Sequence, residues 1–195
     1  MNTSRALKLI FALGLFLGLS FNNQLLAQEQ YKLTGKPELK VTGTSTLHDW
    51  EMASVQSLGK AEMIVEGASL KDVKSARVVM KTETLKSGKD KMDEIAYETL
   101  KTKKHPEIAF TLTSFKNLSG NKAQATGNLT IAGTTKPVTF IVETTVKGGA
   151  VYLTGETGIK FTEFNIAPPT ALFGTVKTGN DLKLLFKVNF QPNAI

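Results

Sequence analysis

Cysteine is absent from the 195 residues, and histidine occurs only twice. Without a thiol there is no disulfide scaffold, Cys-ligated zinc, iron–sulfur cluster or cysteine nucleophile. A His-Glu-x-x-His zinc helix and a glycine-rich phosphate loop closing on Lys-Ser/Thr are also missing. Gly43 to Leu47 starts like a nucleophile elbow but lacks the closing glycine, and it sits among strand-like segments rather than at a strand-to-helix turn. These gaps remove most familiar catalytic chemistries and leave no metal site with a diagnostic spacing.

Long apolar runs are scarce too. Leu9 to Phe21 would extend about 20 Å as a helix, short of the roughly 30 Å hydrocarbon core of a bilayer. Arg5 and Lys8 precede it, Asn22, Asn23 and Gln24 end it, and Ala27 offers a small residue for cleavage, the order of a secretory signal peptide. The expected organisation is a leader at 1–27 and one domain at 28–195, which makes the mature protein periplasmic or secreted. Loss of Arg5 and Lys8 would lower the net charge from +7 to +5. So modest and dispersed an excess suits solubility and transient contact with anionic lipid surfaces, not nucleic acid. The densest cluster, Lys101, Lys103 and Lys104, has no aromatic residue on which a base could stack.

What the sequence does contain is alternation. Leu182, Leu184, Phe186, Val188 and Phe190 fall on one face of an extended segment, with Lys183, Leu185, Lys187 and Asn189 on the other. Similar patterns occupy 31–41, 47–53, 60–66, 76–84, 108–115, 125–131, 138–146 and 151–155. Turn residues separate many of them: Gly120-Asn121, Ala132-Gly133, Gly148-Gly149 and Gly179-Asn180. The segment 89–102 breaks the rhythm, with Met92, Ile95, Ala96, Thr99 and Leu100 at helical spacing before Pro106, and predicts one helix against a sheet or across a barrel end. Residues 166–179 read as a long loop with a role in covering an opening.

A mostly antiparallel chain of this size stacks two sheets or closes one. The expectation is an all-β fold, an extended eight-stranded antiparallel β-barrel with one helix between strands. Closure at eight strands leaves an interior for side chains or one slender ligand. Phe110, Leu112, Leu129, Ile131, Phe140, Val142, Leu184 and Phe186 make up the expected inward set.

Ser45, His48 and Asp49 could supply a nucleophile, a base and an orienter. Neighbours on one strand point to opposite faces, however, which argues against their convergence; strand-end hydrogen bonding at the barrel mouth is the plainer role for Ser45 and His48. His105, just before Pro106, reads as an exposed turn residue. Trp50 and Met52 lie opposite Glu51, where core filling and a cavity wall both fit.

Four segments together resemble the YceI-like family of secreted lipid-binding proteins: VTGTSTLHDW at 41–50, KMDE at 91–94 through KHPEIAF at 104–110, ATGNLTIAGTTKPV at 125–138, and GIKFTEFNI at 158–166 with the closing strand. The resemblance spans 30–191 and is most specific at 127–138. It implies a lipocalin-like barrel whose apolar tunnel takes a long isoprenoid or similar acyl chain, with no catalytic residue, metal or other cofactor. On that basis the tunnel is assigned to Trp50, Met52, Val78, Met80, Phe110, Leu112, Leu129, Ile131, Phe140, Val142, Phe161, Leu184 and Phe186, with Ser45 and His48 polar at its mouth. The expected function is non-enzymatic binding, sequestration or transport of an isoprenoid, quinone-type lipid or fatty-acid derivative. A lipid-ester hydrolase acting through His48 and Ser45, and a barrel with a filled core serving as an interaction or stress-response module, stay open as alternatives. Family likeness also suggests a homodimer.

Overall fold

Alternating side chains put the chain into extended segments whose apolar faces must be covered. In the computed structural model, which describes residues 29–193, they are covered by closure. The leader assigned to 1–27 lies outside the described residues. Ten strands form: β1 (Glu29–Ser45), β2 (Trp50–Ser54), β3 (Leu58–Glu66), β4 (Ser69–Lys81), β5 (Glu107–Asn117), β6 (Lys122–Ile131), β7 (Thr134–Lys147), β8 (Ala150–Lys160), β9 (Thr170–Ala171) and β10 (Val176–Pro192). They pair in the order β2-β1-β3-β4-β5-β6-β7-β8-β10-β9, and a β1–β10 pairing closes the ring. The result is the expected eight-stranded antiparallel barrel, with β2 and β9 as short additions.

Strand β1 makes the closure work. Its residues 29–32 pair with 63–60 of β3, and its residues 39–43 pair with 54–50 of β2, while β10 runs along its other edge from Tyr31 to Ser45. Strands β2 and β3 thus share one position in the wall, interrupted at 55–57. The β1–β10 register breaks between Thr34 and Glu38, where Gly35 takes a positive φ and Pro37 has no N–H to leave unpaired. A second break sets residues 179–181 of β10 against Thr44 alone.

Several sequence-based boundaries are corrected by this pairing. The strand expected at 47–53 begins only at Trp50, because 46–49 form a turn held by the Ser45 hydroxyl. Strand β4 stops at Lys81, and Thr82–Thr84 make a 3-10 turn that carries the chain off the wall. The loop expected at 166–179 contains β9, whose Thr170 and Ala171 pair with Lys177 and Val176. Gly179-Asn180 is no strand-separating turn but the bulge inside β10; the Asn180 amide donates to Thr162 Oγ1 (3.0 Å) and its carbonyl accepts from the Thr162 N–H (3.2 Å).

All turns at one end of the barrel, at 67–68, 118–121 and 148–149, are short, and below them the interior is solid. Tyr31, Met63, Val151 and Phe190 are fully buried there, with Leu33, Leu70, Val73 and Val146 around them. The opposite end carries the long connections, including helix α1 (Asp90–Thr99), which lies across the opening. Met92 and Ala96 of the helix and Leu100, its C-cap, pack on Met52, Met80 and Leu85.

Polar contacts fix the helix at that end. The Tyr97 hydroxyl lies 2.9 Å from the carbonyls of both Glu83 and Leu85, which share its one proton. Asp93 is buried, and its carboxylate accepts from the Ser87 N–H (2.8 Å) and hydroxyl (2.7 Å), with Lys86 Nζ at 3.5 Å. Burial alone would raise the Asp93 pKa, but the two Ser87 hydrogen bonds and the Lys86 charge outweigh it and hold the carboxyl below the ordinary 3.8. A depressed folded-state pKa stabilises above the unfolded value and ceases to do so as pH falls through the folded value. Asp93→Asn should therefore cost about 1–3 kcal/mol at neutral pH, with the gap from the parent narrowing below pH 3.8. Urea denaturation at neutral and strongly acid pH checks this; a gap that stays constant would show that ionised Asp93 contributes nothing.

Candidate functional site

Between the solid end and the helix the barrel is hollow. The cavity measures about 520 Å³, within the range of roughly 300–1,000 Å³ typical of small-molecule sites. Its walls are inward residues of the strands, and its roof is α1 with the 161–178 segment.

Inward aromatic rings would ordinarily fill a barrel of eight strands. Here two of them lie flat against the wall, because the strand residue beneath each is glycine. A Cβ at Gly127 would stand 2.6 Å from Phe110 Cε2 and 2.5 Å from the Thr111 carbonyl oxygen, and one at Gly155 would stand 2.7 Å from Phe186 Cζ. Phe140 bridges the two rings edge to face, with centroids 5.6 Å from Phe110 and 5.3 Å from Phe186. Each such pair adds about 0.5–1.5 kcal/mol beyond its burial. Ala123 and Ala125 keep β6 thin below Gly127.

Each residue assigned to a tunnel from the sequence borders this one cavity. Trp50 and Met52 of β2 and Val78 and Met80 of β4 line one side. Phe110 and Leu112 of β5, Leu129 and Ile131 of β6, and Phe140 and Val142 of β7 line the next. Phe161, in the 3-10 turn after β8, joins Leu184 and Phe186 of β10 to complete the ring. The Trp50 indole N–H donates to the Thr44 carbonyl (3.0 Å), which satisfies its one polar atom and leaves the ring for the wall.

Other lining residues were not assigned from the sequence. Met92, Ile95 and Ala96 of α1 and Leu100 at its C-cap face the cavity, so the helical spacing that located the helix also marks part of the roof. Leu39 and Val41 follow the alternation of β1. Phe115 has no such signal: the register shift between Leu112 and Ser114 reverses the phase of β5 and turns an odd-numbered residue inward after even-numbered ones. Leu185 also borders the cavity, although the alternation assigned it to the outer face.

Ser45 and His48 stand at the mouth but do not form a dyad. The Ser45 hydroxyl donates to the His48 carbonyl (2.7 Å) and accepts from the N–H groups of Leu47 and His48 (3.2 Å each). His48 Nδ1 lies 2.7 Å from the Asp49 carbonyl, so that nitrogen carries the proton and donates. Asp49 thus engages the ring through its backbone rather than its carboxylate. His105 is half-buried, not exposed, and a Cβ on Gly133 would run into its ring. Among the described residues no group of three metal-ligating side chains occurs. Lys40, Lys89, Lys91 and Lys160 are the lysines that border the cavity; Lys40 pairs with Glu51 (3.3 Å), Lys91 with Glu94 (2.9 Å) and Lys160 with Asp181.

A closed antiparallel barrel around one apolar cavity, roofed by a helix, is lipocalin-like in architecture. The YceI-like domain matches residues 38–190, and the chain belongs to that family. Among solved structures, Burkholderia cenocepacia BcnA is similar at 19% identity, covering 78% of this chain and 95% of its own, with a TM-score of 0.65. The Campylobacter jejuni YceI protein is 19% identical over 73% of this chain and 86% of its own, with a TM-score of 0.57. A polyisoprenoid binding domain from Saccharophagus degradans is 9% identical over 83% of this chain and 98% of its own, also at 0.57. At these identities the likeness is one of fold. Comparison with curated proteins yields no match.

The glycine seats are open to a direct test. Gly155→Val should push the Phe186 ring into the hollow and destabilise the fold by about 1–3 kcal/mol. A crystal structure of the variant with Phe186 unmoved and the cavity undiminished would contradict this reading of the wall.

Proposed function

We propose that this protein binds, without catalysis, one slender apolar chain, that of an isoprenoid, a quinone-type lipid or a fatty-acid derivative, and sequesters or carries it in the periplasm or outside the cell after the leader is removed. The observation that carries the proposal is the continuous apolar cavity from the roof helix to the solid end. Its walls are almost wholly apolar, which suits a hydrocarbon chain and offers little to a polar ligand. Each buried methylene is worth about 0.8 kcal/mol, so even ten give about 8 kcal/mol before ordering costs. The tail meets Trp50, Phe110, Leu112 and Phe140, and the head group remains at the mouth beside Ser45 and His48. The Saccharophagus domain, described as polyisoprenoid binding, supports an isoprenoid among the three classes. Engagement of the Ser45 hydroxyl with backbone argues against a nucleophile there. Loading takes place at a membrane surface, where such lipids reside.

Lipid extraction and mass spectrometry of the full-length protein, expressed and exported in its own host, should recover a stoichiometric apolar-chain lipid. Recovery of none, together with no uptake of a fluorescent polyisoprenoid by the purified protein, would overturn the proposal. Leu184→Trp, which narrows the hollow at mid-height, should weaken binding of a fifteen-carbon prenyl alcohol at least tenfold; unchanged affinity in the folded variant would place the ligand elsewhere.

A further inference from the structure

The turn joining β9 to β10 breaks two rules at once. Leu172 and Phe173 have φ of +49° and +56°, followed by Gly174 at +86°, so successive residues take the left-handed conformation. The Gly174 N–H donates to the Ala171 carbonyl (3.1 Å), and this geometry ordinarily selects Asn, Asp or Gly at both central positions. The same two residues are turned out to solvent, Leu172 at 67% and Phe173 at 111% exposure. A large apolar pair held in an unfavourable backbone conformation and left in water gives nothing to the fold. Strain of this kind points to use.

Its position indicates the use. Leu172 borders the mouth of the cavity, as does Leu47, which is 66% exposed on the neighbouring 46–49 turn. Phe173 projects beside them, over a shallow depression shared with Ile95 and Lys91 of α1. Ile95, Ala171 and Leu172 border both this depression and the cavity, so apolar side chains connect the tip of the turn to the cavity. The other exposed large apolar residues do not share this continuity: Val55 and Leu58 flank the β2–β3 junction, Leu118 lies in the 118–121 turn at the far end, and Ile141 and Tyr152 stand on the outer wall, none of them lining the cavity. Lys91 borders the same depression as Phe173, and Lys177 pairs with Thr170 at the base of the turn, although Glu94 engages Lys91.

We propose that the Leu172–Phe173 turn is a membrane-docking tip, which inserts into the surface of an anionic phospholipid bilayer and sets the cavity mouth against it, so that an apolar chain passes between bilayer and barrel without crossing water. This rests on the lipid-binding reading and names the partner of the same mouth. Insertion of the apolar tip supplies most of the binding, and the lysines assist, so salt weakens the association only in part.

The test uses the mature protein with vesicles of phosphatidylethanolamine and phosphatidylglycerol, compared with vesicles of phosphatidylcholine alone. The parent should float with the anionic vesicles and release a bound fluorescent polyisoprenoid to them. Phe173→Ser, at a residue outside the cavity wall, should cut the floated fraction and the transfer rate at least fivefold while leaving uptake of the fluorescent chain from solution unchanged. Phe173→Trp should float like the parent, with an added blue-shifted emission on vesicle addition. Equal flotation of parent and Phe173→Ser, or no flotation of either, would overturn the docking tip. So would a concentration-dependent dimer abolished by Phe173→Ser, since the tip would then cover a second copy of the chain. Failure of the parent to take up the fluorescent chain at all would instead count against the binding function itself.

Discussion

The structure depends on where the inward aromatic rings of the barrel lie. Eight strands enclose a space that ordinary core side chains can fill, and at the end holding Tyr31, Met63 and Phe190 they do fill it. Toward the mouth, Gly127 and Gly155 let Phe110 and Phe186 lie back on the wall, and Phe140 locks both rings edge to face. The same aromatic content that could have made a core makes a lining. With no side chain crossing the lumen there, water gains few polar partners, and the hollow suits hydrocarbon.

That arrangement separates stability from function along the barrel axis. The solid end and the ladders hold the fold, while the mouth carries the irregular features: the 46–49 turn, the 3-10 turns, helix α1 and the β9–β10 hairpin. Asp93 and Tyr97 tie the helix to the segment that leaves β4, so the roof belongs to the folded unit and is not a loose flap. Exposed apolar residues collect beside this roof, between α1 and the 170–174 turn.

Much of this was legible in the sequence, for definite reasons. Period-two alternation in 182–190 and its counterparts predicted an inward set of eight, Phe110, Leu112, Leu129, Ile131, Phe140, Val142, Leu184 and Phe186, and all eight border the cavity. The helix was visible in the spacing of Met92, Ile95, Ala96 and Leu100, though its role as roof required knowing which opening it crossed. Phe115 was hidden because a bulge reverses the phase of β5, and no residue type announces a bulge there. The strand β9 is two residues long, below what alternation can reveal. The proximity of Ser45 to His48 was plain in the sequence, but their chemistry was not, since it depends on a turn that aims the hydroxyl at backbone. The Leu172–Phe173 turn carries no turn signal at its two central positions, because large apolar residues stand where Gly, Asn or Asp is the rule.

If burial of an apolar chain is what this barrel does, affinity must follow the length of chain buried and little else. Trp50 is the only tryptophan and borders the cavity, so its fluorescence reports occupancy without a label. The decisive measurement is a titration of the lipid-free protein with straight-chain alcohols of increasing length, followed at Trp50. The account predicts that affinity rises up to about fourfold for each added methylene, then levels off once the chain fills the hollow. An affinity that ignores chain length and tracks only the head group would contradict it.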